Sequence, residues 1–451
     1  MPANAPAMFA VPRNSPPGRV AKRLLIGGIC MAAVAVGIIL IDVKDAVRAG
    51  DHKLALGHDL LPSYVAGTFV REGRARAMYD LDAVHAEEAR IVQSANLQIE
   101  GRGGPWLNPP FFAWLFAPLS ALPYRPAAAV FLTCNLLLLA GTVRLLCRQL
   151  PVSGWRVALV PLLICTAMPF WQALCHQQNT FISLFLISLT MTFWLEDKPF
   201  AAGCVAGLLF FKPQLAVAVA AVLVATTGRR ALMGLLVTAA SLLAITILTL
   251  PGTLGDYLTK LGPILHTLQF DPRYNWGRQN TFQSFWRLLC DGHVGGATQG
   301  VPLLLAWLSS GAVAALLAAA TWKHIREPAP SGRSRRRLIA VAVASMPLMM
   351  PYYLDYDLLL LAVPAVLFAR DWLQRDSARA PTAERWQLAL WIALFFETQI
   401  NPGLAGQTRF NLSVPIMAAL WGVTITSCLR NLAAEEKSTP RARDEHPALA
   451  A

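Results

Sequence analysis

The sequence predicts an all-α polytopic membrane protein that crosses the bilayer about ten times, with spans of about 20 apolar residues as the yardstick. Three observations predict it. Hydrophobic residues make up 55% of the 451 and charged residues only 14%, where soluble domains carry about 25% charge. Apolar runs then recur along the whole chain. Finally, Arg and Lys gather in short segments between those runs: Arg19–Lys22–Arg23, Arg229–Arg230, Arg333–Arg335–Arg336–Arg337, Arg370–Arg375–Arg379 and Arg441–Arg443. A chain this apolar lacks the polar surface to cover itself in water. The charge clusters follow the rule that cationic loops stay cytoplasmic, so the net charge of +13 argues for membrane topology and against nucleic acid.

The first run, 24–43, is long enough to span and shows no small-residue cleavage site before Asp42–Lys44, so it reads as a retained first helix. Runs follow at 109–123, 126–147, 156–173, 180–195, 199–211, 213–227, 231–250, 301–321, 338–351, 355–369, 386–399 and 412–429. Several fall short of an upright span. Lys212–Pro213 breaks one pair, and Pro123–Tyr124–Arg125–Pro126 breaks another. Broken helices at membrane depth are tolerated where they line an enclosed cavity, so they hint at a site. With Arg19–Arg23 inside, segments 45–107 and 251–300 fall outside, with the short connections 174–179, 352–357 and 400–411. Trp106, Trp276 and Arg409 are expected outside and Arg335 inside. An odd number of crossings is needed between 108 and 148, so 109–123 is expected to dip in and return. The organisation is a disordered cytoplasmic N-terminus (1–22), a transmembrane domain (23–430) and a disordered cytoplasmic tail (431–451). The eight Cys form no CxxC and read as small apolar residues.

Polar and ionisable residues recur at the outer membrane edge: Asp59, His176–Gln177–Gln178–Asn179, Lys212, Arg278, Tyr353, Asp355, Asp357 and Arg409. Ionisable groups at membrane depth are costly and are functional candidates by default. The cations suit a phosphate and a carboxylate suits taking a proton. Each has a plainer reading. Asp59 could cap a helix starting near Leu60. Lys212 could be a snorkelling lysine, Arg278 a headgroup arginine beside an interfacial Trp276, and His176 a helix-end hydrogen-bonding group. Asp355 and Asp357 could complement a helix dipole, and Asp80 and Asp82 could be turn carboxylates. Most Trp read as interfacial belt residues.

The ordered set Gly57-His-Asp59-Leu-Leu-Pro-Ser-Tyr64-Val-Ala-Gly67, Met78-Tyr-Asp80, Asn108-Pro-Pro-Phe-Phe-Ala-Trp-Leu-Phe-Ala-Pro118, His176-Gln-Gln-Asn179, Gly207-Leu-Leu-Phe-Phe-Lys212-Pro213 and Tyr356-Asp357-Leu resembles glycosyltransferase family 87. The resemblance covers about residues 25–425 in order. It implies a GT-C-type bundle of roughly 11–13 transmembrane or re-entrant helices with an outer loop of interfacial helices after the first. It also implies a polyprenyl-phosphate-sugar donor, a lipid-linked or cell-envelope glycan acceptor, an outward-facing site in a bacterial inner membrane, and mannose as the default sugar. In such enzymes an aspartate of the first outer loop activates the acceptor, and Asp59 sits at that position. Donor phosphate contacts are expected from Lys212, Arg278 and His176, and further substrate contacts from Gln177, Asn179, Tyr353, Asp357 and Arg409. A monophosphate leaving group is already anionic, so no cofactor and no metal site is expected. The competing readings are a transporter or flippase of lipid-linked saccharide, against which the polar groups crowd one face and no inverted repeat shows, and a non-catalytic assembly subunit.

Overall fold

A computed structural model describes residues 22, 26–37, 58–97, 104–152, 154–271, 274–293, 295–328, 330–374 and 382–438. Among these residues the chain is helical with no strand, and its one extended contact is an isolated antiparallel bridge between Gln279 and Leu354. The fold is the all-α, multi-pass membrane architecture that the sequence predicts.

Among the described residues three helices are each long and apolar enough to cross: α4 (Tyr124–Cys147), α10 (Arg229–Thr249) and α13 (Gly300–Arg326). A bent pair, α5 (Leu159–Thr166) and α6 (Met168–Cys175), turns by 60° and supplies a fourth if read as one broken span. Shorter apolar helices complete the bundle: α1 (Ile26–Gly37), α7 (Thr180–Leu195), α8 (Pro199–Leu208), α9 (Pro213–Thr227) and the first part of α18 (Ser413–Ser438). Against the ten or so crossings expected, three to four spans pass by length and composition among the described residues, and the other apolar helices are shorter. The run read as 156–173 breaks at Ala167, whose extended backbone (φ −75, ψ 138) precedes Met168–Pro169; the pyrrolidine at the start of α6 removes the donor that would continue α5.

Between 108 and 148 only α4 is long enough to cross. The stretch before it folds as two 3-10 turns, Pro110–Leu115 and Leu119–Ala121. Phe112 and Phe116 of this stretch are buried, and Phe112 stacks on Phe211 at 4.3 Å between ring centroids. The segment after the first helix carries α2 (Leu61–Arg71) and α3 (Leu81–Ser94). Residues 61–70 of α2 are all buried, and Tyr64 and Tyr79 donate to the carbonyls of Leu122 and Asn108, each at 2.7 Å. The segment 251–300 holds two helices, α11 (Thr253–Phe270) and α12 (Phe282–Asp291). Arg76, from the turn Ala75–Tyr79 before α3, clasps Asp256 of α11 at 2.7 Å.

Small residues set the tightest packing. On α8 and α10, a Cβ at Gly203 or Gly234 would collide with the backbone of Ala231 or Phe200; such close approach is how helices associate without a hydrophobic drive from water. Downstream lie α14 (Gly332–Ala344), α15 (Met346–Met349), a buried seven-residue 3-10 run at Asp355–Leu361, α16 (Ala362–Leu373) and α17 (Thr382–Thr408). A 3-10 run of that length is uncommon and often marks function.

Some expectations are corrected. The tail beyond 430 is not wholly irregular: α18 continues to Ser438 through Ala433, Ala434, Glu435, Glu436 and Lys437, all strong helix formers. Trp106 and Trp276 are not belt residues but buried, at 1% and 3% exposure. Residues 1–21, 38–57 and 439–451, which include the expected N-terminal segment, the start of the first outer loop and the last of the tail, lie outside the described residues.

Candidate functional site

Five connections converge at one end of α7: the 3-10 turn His58–Leu60, the α6–α7 turn, the α8–α9 break at Lys212, the turn Trp276–Arg278, and the segment leading into Asp355–Leu361. Asp59 does not cap α2; Leu60 holds that position and no side chain caps it. The Asp59 backbone instead donates to the His176 carbonyl at 3.3 Å. Its carboxylate accepts from the Gln178 amide, and the His176 ring stands 3.7 Å away.

His176 in turn lies 3.3 Å from the Arg278 guanidinium, which grips Asp355 through two nitrogens at 2.8 and 3.0 Å. Burial works to lower the Arg278 pKa, but Asp355, by charge and hydrogen bond, prevails and holds it above its ordinary value. The guanidinium is therefore permanently charged. Both members of this pair sit beside the Gln279–Leu354 bridge, where Asn280 N–H donates to Tyr353 O at 2.7 Å and the Gln279 side chain accepts from Tyr353 N–H. Asn411, fully buried, clamps the same turn by donating to the carbonyls of Gly277 and Gln279 at 3.4 and 2.8 Å.

A second ion pair lies alongside. Lys212 Nζ is 3.0 and 3.2 Å from the two oxygens of Asp357, and Thr180 donates to the same carboxylate at 2.7 Å. Both charged side chains are 9% exposed. A snorkelling lysine would reach for water; this one is enclosed. Tyr356 joins the two pairs, with the Lys212 ammonium 5.6 Å from its ring and with Asp357, Asp59, Arg278 and Asp355 within electrostatic reach of its hydroxyl.

Of the expected site residues, Asp59, His176, Lys212, Arg278 and Asp357 come together. Gln177 (φ 53) and Asn179 flank Gln178 as buried residues whose side-chain carbonyl oxygens lack a hydrogen-bond partner. Tyr353 is buried behind the cluster and donates to the Asp357 carbonyl at 2.7 Å. Arg409 joins none of these contacts among the described residues: it is exposed, in left-handed backbone (φ 63), with its guanidinium against Gly292. Asp80 takes its plainer role, capping α3 through the N–H groups of Asp82 and Ala83. Gln178, Thr180 and Asn411 were not singled out as contacts of these groups, because their partners lie 119, 177 and about 130 positions away. Of the three, Gln178 alone lies within the His176–Asn179 motif.

The cluster therefore holds three carboxylates and two fixed cations, with His176 between. Asp59 is the most open carboxylate, at 31% side-chain exposure against 6% for Asp355 and 9% for Asp357. Such a site can take a proton at Asp59 while keeping the other two carboxylates occupied by cations.

No curated protein and no solved structure matches the chain. The model of glycosyltransferase family 87 does, over residues 106–351, more than half of its 451. That span contains His176, Lys212 and Arg278; Asp59, Asp355 and Asp357 fall outside it and are tied to it by the contacts above. Sugar donor and glycan acceptor are the substrates of such an enzyme, and the match decides for transferase over transporter or assembly subunit. The chain belongs to glycosyltransferase family 87, as a multi-pass membrane glycosyltransferase.

Proposed function

We propose that the enzyme transfers a sugar, mannose by default, from a polyprenyl-phosphate donor to a lipid-linked or cell-envelope glycan, on the outer face of a bacterial inner membrane. Asp59 acts as general base in a single inverting displacement. The acceptor hydroxyl oxygen attacks the anomeric carbon as Asp59 takes its proton. The bond from that carbon to the phosphate oxygen breaks, and its electron pair leaves with the phosphate. The observation that carries this reading is the exposure of Asp59 among three gathered carboxylates, with Gln178 and His176 orienting it. Two nitrogens of Arg278 are committed to Asp355, which leaves Nη1 of a 27% exposed side chain to meet the phosphate. The unpartnered oxygens of Gln177 and Asn179 suit sugar hydroxyl donors. Tyr353 acts from behind, by holding the Asp357 loop.

The orientation draws support from α7. Thr180 at its start bonds Asp357, while Arg335 bonds the carbonyl of Trp194 and the carboxylate of Asp197 at its end. Site and arginine cluster thus stand at opposite ends of a 16-residue helix, roughly 24 Å long. By the positive-inside rule this arrangement supports an outward-facing site. The test is turnover of purified protein in nanodiscs against a panel of polyprenyl-phosphate sugars and the matching nucleotide sugars, with and without EDTA. Transfer from a lipid monophosphate, insensitive to EDTA and with inverted anomeric configuration, is expected. Transfer from nucleotide sugars alone overturns the donor assignment. Labelling of cysteines placed at 85, 293 and 333 checks the sidedness: periplasmic labelling at 333 overturns it.

A further inference from the structure

A second feature lies along the bundle, away from the polar cluster. A cleft of about 510 Å³ runs between α1, α5, α16 and α17, walled by residues such as Gly28, Leu159, Leu163, Ala365, Leu388 and Phe395. Among the described residues its lining is apolar throughout apart from Thr398 and one charged residue, Arg156. A cavity so lined does not hold water well and takes an apolar guest.

The two ends of the cleft differ. One end, at Leu358 and Pro169, lies toward the transfer site. The other carries Arg156, Trp372 and Leu373, and shares Phe368, Trp372 and Trp391 with a smaller cavity lined by Arg336, Arg337 and Asp371. There Arg333, Arg336 and Arg337 converge on Asp371 at 3.9, 3.0 and 3.5 Å, and Arg337 also meets Glu384 at 3.4 Å. Arg370 reaches Gln149 at 3.1 Å, but its Nε is buried without a partner. Among the described residues Arg333, Arg336, Arg337 and Arg370 thus gather around Asp371 and Glu384, in the region where Arg335 marks the far end of α7, and Arg156 lines the cleft that shares its wall with them. Hydrocarbon walls ending in surplus positive charge match one kind of molecule, an amphiphile with an anionic head.

We propose that this cleft binds an anionic phospholipid of the leaflet opposite the transfer site, with a hydrocarbon chain between α5, α16 and α17 and its phosphate at Arg156. The long axis fits: α16 alone covers 12 residues, roughly 18 Å, comparable with one leaflet of a hydrocarbon core about 30 Å thick. The charge fixes the proposed position of the head, since Arg156 is the one cation among the described residues that line the cleft and stands at its far end.

The test is lipid retention by the purified full-length protein, read by native mass spectrometry after exchange into detergent with phosphatidylglycerol or phosphatidylcholine of identical chains. Wild type should retain phosphatidylglycerol in preference. Arg156→Gln should lower that retention about tenfold, the scale of one charge-assisted contact, and Arg156→Lys should recover part of it. Ala365→Trp, which fills the cleft, should abolish retention of both lipids; should that variant fail to fold, the Arg156 pair decides alone. Equal retention of the two lipids by wild type overturns the proposal, as does unchanged phosphatidylglycerol retention in Arg156→Gln. Stoichiometric displacement of phosphatidylglycerol by polyprenyl phosphate also overturns it, since the cleft would then belong to the donor. None of these readouts depends on sugar transfer, so the reading of the transfer site stands or falls separately.

Discussion

The two ends of α7 are both crowded with charge, yet they are built on opposite plans. At the Thr180 end each fixed cation has its own carboxylate, Lys212 with Asp357 and Arg278 with Asp355, and Asp59 is added beyond those pairs. At the Trp194 end arginines outnumber their carboxylates among the described residues: Arg333, Arg336 and Arg337 all lean on Asp371, with Glu384 on Arg337 and Asp197 on Arg335. Pairing one to one holds geometry fixed in a low-dielectric interior, where a half-paired charge is costly. Sharing one carboxylate among several arginines leaves net positive charge, which suits a face that stays beside anionic headgroups. On the readings proposed above, chemistry belongs at the first end and anchoring at the second.

The largest test of this contrast is Asp59→Asn. Asn keeps the size and hydrogen bonding of the side chain and removes its basicity, so turnover should fall by about 10²–10⁴-fold while melting temperature and donor binding hold. Turnover near wild type would reassign Asp59 to a structural role and turn attention to Asp355 or Asp357.

Lys212→Met sharpens the pairing itself. It strands Asp357 in a buried setting, a loss on the order of 3–5 kcal/mol, seen as a sharply lowered melting temperature. The double variant Lys212→Met/Asp357→Asn should regain much of that stability. Donor affinity measured in the double variant then separates the two roles of Lys212: a loss of one to two decades, the scale of a charge-assisted contact, marks a phosphate ligand, whereas unchanged affinity leaves it a strut for Asp357.

Most of this site was legible in the sequence because polar residues in an apolar chain stand out one by one. Lys212 interrupts a hydrophobic run and His176 lies in the short connection between two, while Asp59 and Arg278 stand in the long polar segments between runs. What the sequence could not convey is who meets whom. Lys212 and Asp357 are 145 positions apart, and nothing local told that the lysine is spent on a carboxylate. Arg409 failed for the same reason: its composition matched the site, but its turn carries the guanidinium to Gly292. The bend at Ala167 did leave a mark, Pro169, which a hydropathy reading passes over because proline does not interrupt an apolar run.

Asn411→Ala probes positioning. It orphans two carbonyls of the turn that carries Arg278 without touching any charged group of the cluster. A small shift of a positioning group can cost up to about a hundredfold, so kcat/KM should fall by about tenfold, chiefly through KM for the donor. A fall in melting temperature with unchanged KM would make Asn411 purely structural.

The smallest effect is expected at Arg76–Asp256, where Arg76 is 70% exposed. The hydrogen bond from Arg76 is the leading cause that holds the Asp256 carboxyl below its ordinary range. A depressed carboxylate stabilises the fold above its unfolded pKa, near 3.9, and that contribution is lost as pH falls through the lower folded value. Arg76→Met should therefore lower the melting temperature slightly at neutral pH and make no difference at strongly acid pH; an equal loss at both would dissociate the effect from this carboxylate.

Gly67 shows how far a site can extend beyond what it touches. A Cβ there would collide with the backbone of Phe116, and α2, which carries Gly67, begins two residues after Asp59. A methyl group at this position would lever the helix off its bed and swing the carboxylate with it. In a saturation scan of the gene read out by sugar transfer, position 67 should tolerate as few replacements as Asp59 itself, and tolerance there should be restored only by trimming chain at 116–117. The map of intolerant positions would then trace the mounting of the base as well as the base.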